Sequence, residues 1–226
     1  MTAARDGGDL PGRARRTPTT VLSDLLADRG LRAQVVSPTV QAAVGTGRVA
    51  GWAFTVTGGP AAADESGPDL AKAQAIDAMT AGQVAVWAGG DVDEVCLFGD
   101  LLAAGQRARG VLAAVVDGGI RDEADIDGTG LVVWARYRTP KASTGIWRVR
   151  GWQEPVEVGG TSGGTVRVVP GDLVVADVDG VVVLPADVAA EVVAAAERYA
   201  DREAVIRARI EAGESMAALV AEFGRL

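Results

Sequence analysis

The chain has 226 residues with 22 Lys+Arg against 30 Asp+Glu, a net charge of −8, one cysteine and no histidine. This composition excludes a Ser-His-Asp triad, an imidazole base and a His-ligated zinc, while the lone Cys96 excludes an internal disulfide and the acidic balance argues against a nucleic-acid partner. Only Lys72 and Lys141 are lysines, so what remains for chemistry is carboxylates, guanidinium groups, backbone amides and a hard cation held through oxygen, a ligand set that suits Mg²⁺ or Mn²⁺.

Residues 1–16 are polar, rich in Gly and Arg and aperiodic, and read as a disordered N-terminal arm without the apolar centre of a signal peptide. No apolar run reaches the roughly 18 residues of a membrane span, so the expectation is a cytoplasmic protein with no membrane partner. Order is expected over residues 17–226, beginning near Thr19, where Thr-Thr-Val-Leu-Ser-Asp-Leu-Leu offers a cap followed by apolar residues at helical spacing. Residues 48–57 read as a strand, 69–80 as a helix ended by Gly82, and 83–88 as a short buried strand.

The centre is a strand-helix-strand unit: a strand over 94–98, a helix over 101–109 closed by Gly110, and an all-apolar strand over 111–116. Asp117-Gly118-Gly119 reads as a turn, followed by a short helix around 122–126 and a strand at 131–135. Residues 139–164 show little periodicity and read as loops. Two strands, 173–176 and 181–184, flank Asp177-Val178-Asp179-Gly180 as a hairpin, and from Pro185 onward one or two Ala- and Glu-rich helices are expected, with a break at Gly213.

Two patterns are rejected. Gly45-Thr46-Gly47 opens into a strand where a dinucleotide-binding helix would have to begin, and Cys96, inside an apolar strand of a chain without histidine, reads as an inert core thiol. The informative segment is Gly99-Asp100-Leu101-Leu102 together with Arg121-Asp122 and Asp125. Asp100 stands where a strand hands over to a helix, so the amides of Leu101 and Leu102 face an anion at the helix N-terminus. Arg121 and Asp122 follow the next strand of the same unit and belong at the same sheet edge, giving a guanidinium and an amide pair for a carboxylate and two or three acids for a divalent cation. Taken singly these residues are ordinary: an Asp at a helix start commonly caps it, and an adjacent Arg-Asp is commonly a solvated pair.

Taken together, Gly99-Asp100, twenty intervening residues, Arg121-Asp122, two more and Asp125 resemble the motif of the RraA-like family, whose enzymes are 4-hydroxy-4-methyl-2-oxoglutarate / 4-carboxy-4-hydroxy-2-oxoadipate aldolases. The resemblance runs from Ser23-Asp24-Leu25-Leu26 through Ala50 to Val56 and Val169-Pro170-Gly171-Asp172 to Pro185, with departures at Gln83 and Ala113. It implies a single α/β domain, a layered β/β/α sandwich of the swivelling-domain type with a long C-terminal helical segment. It also implies a class II aldolase that uses Mg²⁺ or Mn²⁺ in place of a lysine Schiff base and releases pyruvate from a 4-hydroxy-2-oxo acid, with oxaloacetate decarboxylation as a side activity. Asp122 is then the direct metal ligand, Asp100 holds a metal-bound water, Gly99, Leu101, Leu102 and Arg121 bind the substrate, and Asp125 orients Arg121. The family's namesake is instead a regulator that contacts a ribonuclease and lacks the complete acidic motif. A non-catalytic regulator that binds a ribonuclease or another protein is therefore the competing expectation, and assembly as a homotrimer or homohexamer is implied in either case.

Overall fold

The computed structural model describes residues 9–90 and 92–224. In chain order the elements are α1 (Leu10–Ala14), α2 (Thr19–Ala27), β1 (Gln41–Val44), β2 (Val49–Pro60), α3 (Leu70–Asp77), β3 (Gln83–Ala88), β4 (Cys96–Phe98), α4 (Asp100–Ala108) and β5 (Ala113–Ile120). They continue with α5 (Glu123–Thr129), β6 (Val132–Arg138), β7 (Trp147–Trp152), β8 (Val156–Gly159), β9 (Thr165–Val168), β10 (Leu173–Asp177), β11 (Gly180–Leu184), α6 (Ala189–Glu211) and α7 (Met216–Phe223). The main sheet runs β1-β6-β5-β3-β2-β10-β11, with β4 added to β5 and β7 to β2, and β8 and β9 form a separate pair.

Three layers follow from how the strand sequences divide their side chains. In β3, Val84, Val86 and Ala88 pack toward the β8-β9 pair, while Ala85 and Trp87 pack toward α3 and α4. The neighbouring β5 divides in the same way, Ala113 and Val115 against Ala114 and Val116. Strands covered on both faces need no polar alternation, which is why 83–88 and 111–116 read as continuous apolar runs. A third cluster joins Leu22 and Leu26 of α2 and Val192, Val193 and Ala196 of α6 to Leu173, Val175 and Leu184 of the β10-β11 hairpin. The result is the expected β/β/α layering with a helical C-terminal segment, broken at Gly213, whose φ is 86°.

Several expectations need correction. The arm expected through residue 16 is ordered over residues 9–16: Asp9 caps α1, Leu10 and Ala14 are buried in the third cluster, and Arg13 pairs with Glu197 of α6 at 2.6 Å. Residues 1–8 lie outside the described residues. Asp117-Gly118-Gly119 is not a turn but the C-terminal half of β5. The two glycines are there for close approach, since a Cβ at Gly118 would meet Leu97 Cδ1 at 2.3 Å and one at Gly119 would meet Tyr137 Cε2 at 2.4 Å. The stretch 139–164, expected as loops, contains β7 and β8. β7 extends the pairing of β2 through Pro60 and is anchored by the buried Trp147, whose indole N–H donates to Gly89 O at 2.8 Å.

Thr19 does not cap α2. Its hydroxyl and amide donate to Asp177 at 2.6 and 3.0 Å, where Arg48 Nε (3.0 Å) and the Asp179 amide (3.0 Å) also converge. Burial opposes ionisation of Asp177, yet these four donors hold its carboxyl below the usual value. A carboxyl held low in the folded state gives stability that is complete above its unfolded value near 3.8 and drains away as pH falls through the folded value. Asp177→Ala should therefore cost about 3 kcal/mol at neutral pH, with the gap to wild type narrowing below about pH 4, as read by urea unfolding at both pH values. Truncation to start at Thr17 should lower the melting temperature by about 5 °C, since it removes the burial of Leu10 and Ala14 together with the Arg13–Glu197 pair. An unchanged midpoint would restore the reading of a free arm.

Candidate functional site

β4 pairs in parallel with the end of β5, Cys96 with Gly119 and Phe98 with Ile120, so both strands deliver the chain to one sheet edge. The two halves of the motif are joined there by the backbone, with Arg121 N donating to Phe98 O at 3.1 Å. On the β4 side Gly99 is the N-cap of α4, and the first intrahelical bond runs from Ala103 N to Gly99 O at 3.1 Å. The amides of Asp100, Leu101 and Leu102 precede that bond, and no side chain caps them. The helix therefore presents open donors and the positive end of its dipole at the place expected from the sequence.

On the β5 side, Asp122 sits at φ 59°, in the left-handed region that a non-glycine residue occupies at a cost of about 1–2 kcal/mol. It is the N-cap of α5 yet makes no side-chain cap bond. Its Oδ2 accepts from Arg121 Nε at 3.2 Å. A Cβ at Gly99 would lie 2.9 Å from Asp122 Oδ2 and 3.6 Å from Arg121 Nε, so the pair rests directly against the α4 N-terminus. Both side chains are partly exposed, at 45% and 35%, and such an ion pair contributes little to stability. The left-handed backbone at Asp122 is thus held without a side-chain cap bond and with only a partly exposed ion pair in return.

A cleft of about 220 Å³ opens at this edge, lined by Gly99, Asp100, Leu101, Leu102 and Arg121 and, from elsewhere in the chain, by Lys72, Cys96, Leu97 and residues 142–144. Asp122 lines an adjoining hollow of about 360 Å³ on the other side of Arg121, with Glu123 and Arg138. Asp125 is not gathered in. It is exposed on α5 and enters none of the ion pairs found among the described residues, and the carboxylate bonded to Arg121 is that of Asp122. The contact with Arg121 expected of Asp125 is made instead by Asp122. Cys96 lines the cleft as a thiol: Sγ donates to Phe98 O at 3.0 Å, and burial pushes its pKa up, away from the nucleophilic thiolate.

Sequence reasoning missed Lys72, Ser143 and Thr144. Lys72 lies in the first turn of α3, behind the N-cap Asp69, and its Nζ donates to Leu97 O and Ser143 Oγ, both at 3.4 Å, while resting 4.9 Å from the centre of the Trp147 ring. Burial pushes its pKa down, and Arg121 and Arg148 add to that shift while Asp69 and Cys96 oppose it. Its rarity was the available signal, since it is one of two lysines in the chain.

For a hard cation the available donors are the carboxylates of Asp100 and Asp122, which flank Gly99. Asp100 accepts no hydrogen bond within the described residues. No group of three or more His, Cys, Asp or Glu side chains suited to a metal occurs among the described residues. Mg²⁺ asks for less than that, since it keeps several waters and is held by one or two carboxylates with the remaining positions open to substrate. The residues present fit that demand and would not fit a zinc site.

Comparison with known proteins bears on the same segment. An RraA-like family model, described as Aldolase/RraA, matches residues 19–183. A protein of Halalkalibacterium halodurans, named as a candidate 4-hydroxy-4-methyl-2-oxoglutarate aldolase, is 33% identical over 180 residues, covering 78% of this chain and 77% of its own. An uncharacterised protein of Methanocaldococcus jannaschii is 29% identical over 127 residues, or 54% of this chain, and the match spans only 56% of that relative's length. Among solved structures, Streptomyces coelicolor RraAS2, described as an unusual member of the RNase ES inhibitor RraA protein family, superposes with a TM-score of 0.78 at 30% identity, covering 91% of this chain and 99% of its own. With the family model matched from α2 to β11 and a relative 33% identical over 78% of the chain, the chain belongs to the RraA-like family.

Proposed function

We propose that the chain is a divalent-metal-dependent lyase that cleaves the C3–C4 bond of a 4-hydroxy-2-oxo acid and releases pyruvate, with oxaloacetate decarboxylation as a side activity. The observation that carries this reading is the contact of the strained Asp122 and Arg121 with the uncapped start of α4 across Gly99. Mg²⁺ or Mn²⁺, held by Asp122 with Asp100 beside it, would supply the Lewis acid that draws electron density toward the 2-oxo group. The Leu101 and Leu102 amides hold the substrate's 2-oxo-acid carboxylate at the positive end of α4. As the C4 hydroxyl gives up its proton to a base and becomes the carbonyl of the second product, the C3–C4 bonding pair passes to the pyruvate half as an enolate, and the Arg121 guanidinium stands at the same edge to balance that charge before C3 takes a proton. Loss of CO₂ from oxaloacetate generates the same enolate, which is why one site serves both reactions. Assembly into a homotrimer or homohexamer belongs to the same reading.

The likeness to RraAS2 over most of the chain favours a second reading, a non-catalytic regulator that binds a ribonuclease or another protein. That role gives no reason for an Asp at φ 59° that declines to cap its helix, and the lyase reading does.

Pyruvate should be released from 4-hydroxy-4-methyl-2-oxoglutarate and from oxaloacetate in the presence of Mg²⁺ or Mn²⁺, and EDTA should abolish both activities. Borohydride added with pyruvate should leave Lys72 unmodified, and a trapped adduct or turnover that survives chelation would overturn the metal reading. Gly99→Ala puts a Cβ 2.9 Å from Asp122 Oδ2 and should lower kcat by about 100-fold with little change in melting temperature. Asp122→Asn should abolish turnover in a folded protein. Normal turnover in either variant would remove the site from this edge of the sheet.

A further inference from the structure

The cleft that carries Asp100 and Arg121 does not end at Leu97. A second hollow of about 350 Å³ lies beyond it, lined by residues 66–69 and by Lys72, Ser143, Thr144, Gly145, Trp147 and Arg148. Lys72, Ser143 and Thr144 line both spaces and form the passage between them. The charged side chains around the second hollow are not equally available. Arg148 is spent on the backbone, donating to the carbonyls of Glu65, Gly67 and Pro68 at 3.0, 3.1 and 2.7 Å. Asp69 accepts from the amides of Lys72 and Val149 at 3.3 and 2.9 Å. Lys72 is different: both acceptors of its ammonium, Leu97 O and Ser143 Oγ, are uncharged and at the long limit of 3.4 Å, and an ammonium has three protons to place. No carboxylate stands within ion-pair distance of Nζ among the described residues.

A half-buried cation with two long neutral acceptors and the Trp147 ring, favoured by Asp69 and Cys96 and opposed by Arg121 and Arg148, has its charge only partly offset by its own protein, since the net shift is still downward. The burial that pushes its pKa down is what a bound anion would relieve. The Lys72 ammonium also rests over the Trp147 ring, 4.9 Å from its centre, a cation–π contact that offsets part of the cost of burying the charge but supplies no anion.

Resting on the lyase reading above, we infer that Lys72, assisted by the Ser143 and Thr144 hydroxyls, is a specificity-determining residue that binds a second carboxylate on the half of the substrate opposite to its 2-oxo-acid end. The proposed substrate 4-hydroxy-4-methyl-2-oxoglutarate is a 2-oxo diacid, and the cleft that Leu101, Leu102 and Lys72 line together would take one carboxylate at the α4 amides and the other at Lys72. Monocarboxylic 2-oxo acids leave the Lys72 ammonium without an anionic partner and gain only the first contact.

Binding without turnover separates this inference from the proposed chemistry. 2-Oxoglutarate and 2-oxopentanoate share a five-carbon chain and differ at the distal end, and neither has the C4 hydroxyl that cleavage needs. Titration calorimetry in the presence of Mg²⁺ should show wild type binding 2-oxoglutarate at least about tenfold more tightly than 2-oxopentanoate. Lys72→Met, which removes the charge but keeps an unbranched side chain beside Trp147, should bring the two acids within about twofold of each other, chiefly by weakening the diacid. Lys72→Arg, which restores the charge, should recover part of the preference. Equal binding of the two acids by wild type, or a preference that survives in Lys72→Met, would overturn the assignment. Diacid selectivity that depends on Lys72 in a protein that fails to cleave 4-hydroxy-4-methyl-2-oxoglutarate would keep the subsite and discard the lyase reading.

Discussion

Because residue 99 carries no Cβ, the first turn of α4 lies directly against the Arg121–Asp122 pair, with the position a Cβ would take only 2.9 Å from Asp122 Oδ2. Everything at the candidate site is arranged around that contact. The parallel pairing of Phe98 with Ile120 brings the two chain segments level, and the Arg121 N to Phe98 O bond fixes their separation. β4 is only three residues long and could not hold this register alone. It is clamped from both sides: β5 on one flank, buried along nearly its whole length, and on the other the loop carrying Lys141 and Ala142, which accepts a hydrogen bond from Cys96 N at 2.8 Å. That same loop brings Ser143 and Thr144 into the cleft, so the clamp on β4 also builds the far wall of the site.

Much of this could be read from the chain because local chemistry and tertiary structure agree there. Asp69 caps α3, the Asp177 to Gly180 turn joins β10 to β11, and Gly99-Asp100 opens α4 at the residue that the strand-to-helix handover indicates. Where the two diverge, the sequence misleads. Gly118 and Gly119 carry the composition of a turn but serve to admit Leu97 and Tyr137 against an extended strand, and composition does not distinguish these uses of glycine. α1 offers only Leu10 and Ala14 as apolar residues, and its order comes from docking on α6, a partner almost two hundred residues away in the chain. β7 is dictated by one buried tryptophan and the small Gly58 beneath its ring, which no short-range pattern announces.

The site divides in the same way. The spacing that links Asp100 to Arg121 and Asp122 is carried by one supersecondary unit, so it survives as a sequence motif. Lys72 belongs to a different unit and arrives through the packing of α3 beside α4 and β7, so no spacing rule reaches it. Asp125 shows the converse, a residue at a recognisable spacing whose side chain points to solvent while its neighbour Asp122 takes the arginine. Spacing places backbone, and which carboxylate meets the guanidinium is decided by the left-handed kink at Asp122.

Charge balance ties the metal and the second carboxylate together. Around the cleft, Asp100 and Asp122 carry two negative charges and Arg121 and Lys72 two positive ones, so the bare site is close to neutral. Neutrality gives a dianion no electrostatic reason to enter a partly desolvated space. A divalent cation held by the carboxylates would leave the surroundings with an excess of two positive charges, the amount that two carboxylates cancel. The arginine and the amides of Leu101 and Leu102 account for one of them, and without Lys72 the second would be buried unpaired. In the proposed lyase, metal, arginine and lysine are therefore one device, and a monocarboxylic substrate would leave it one charge out of balance.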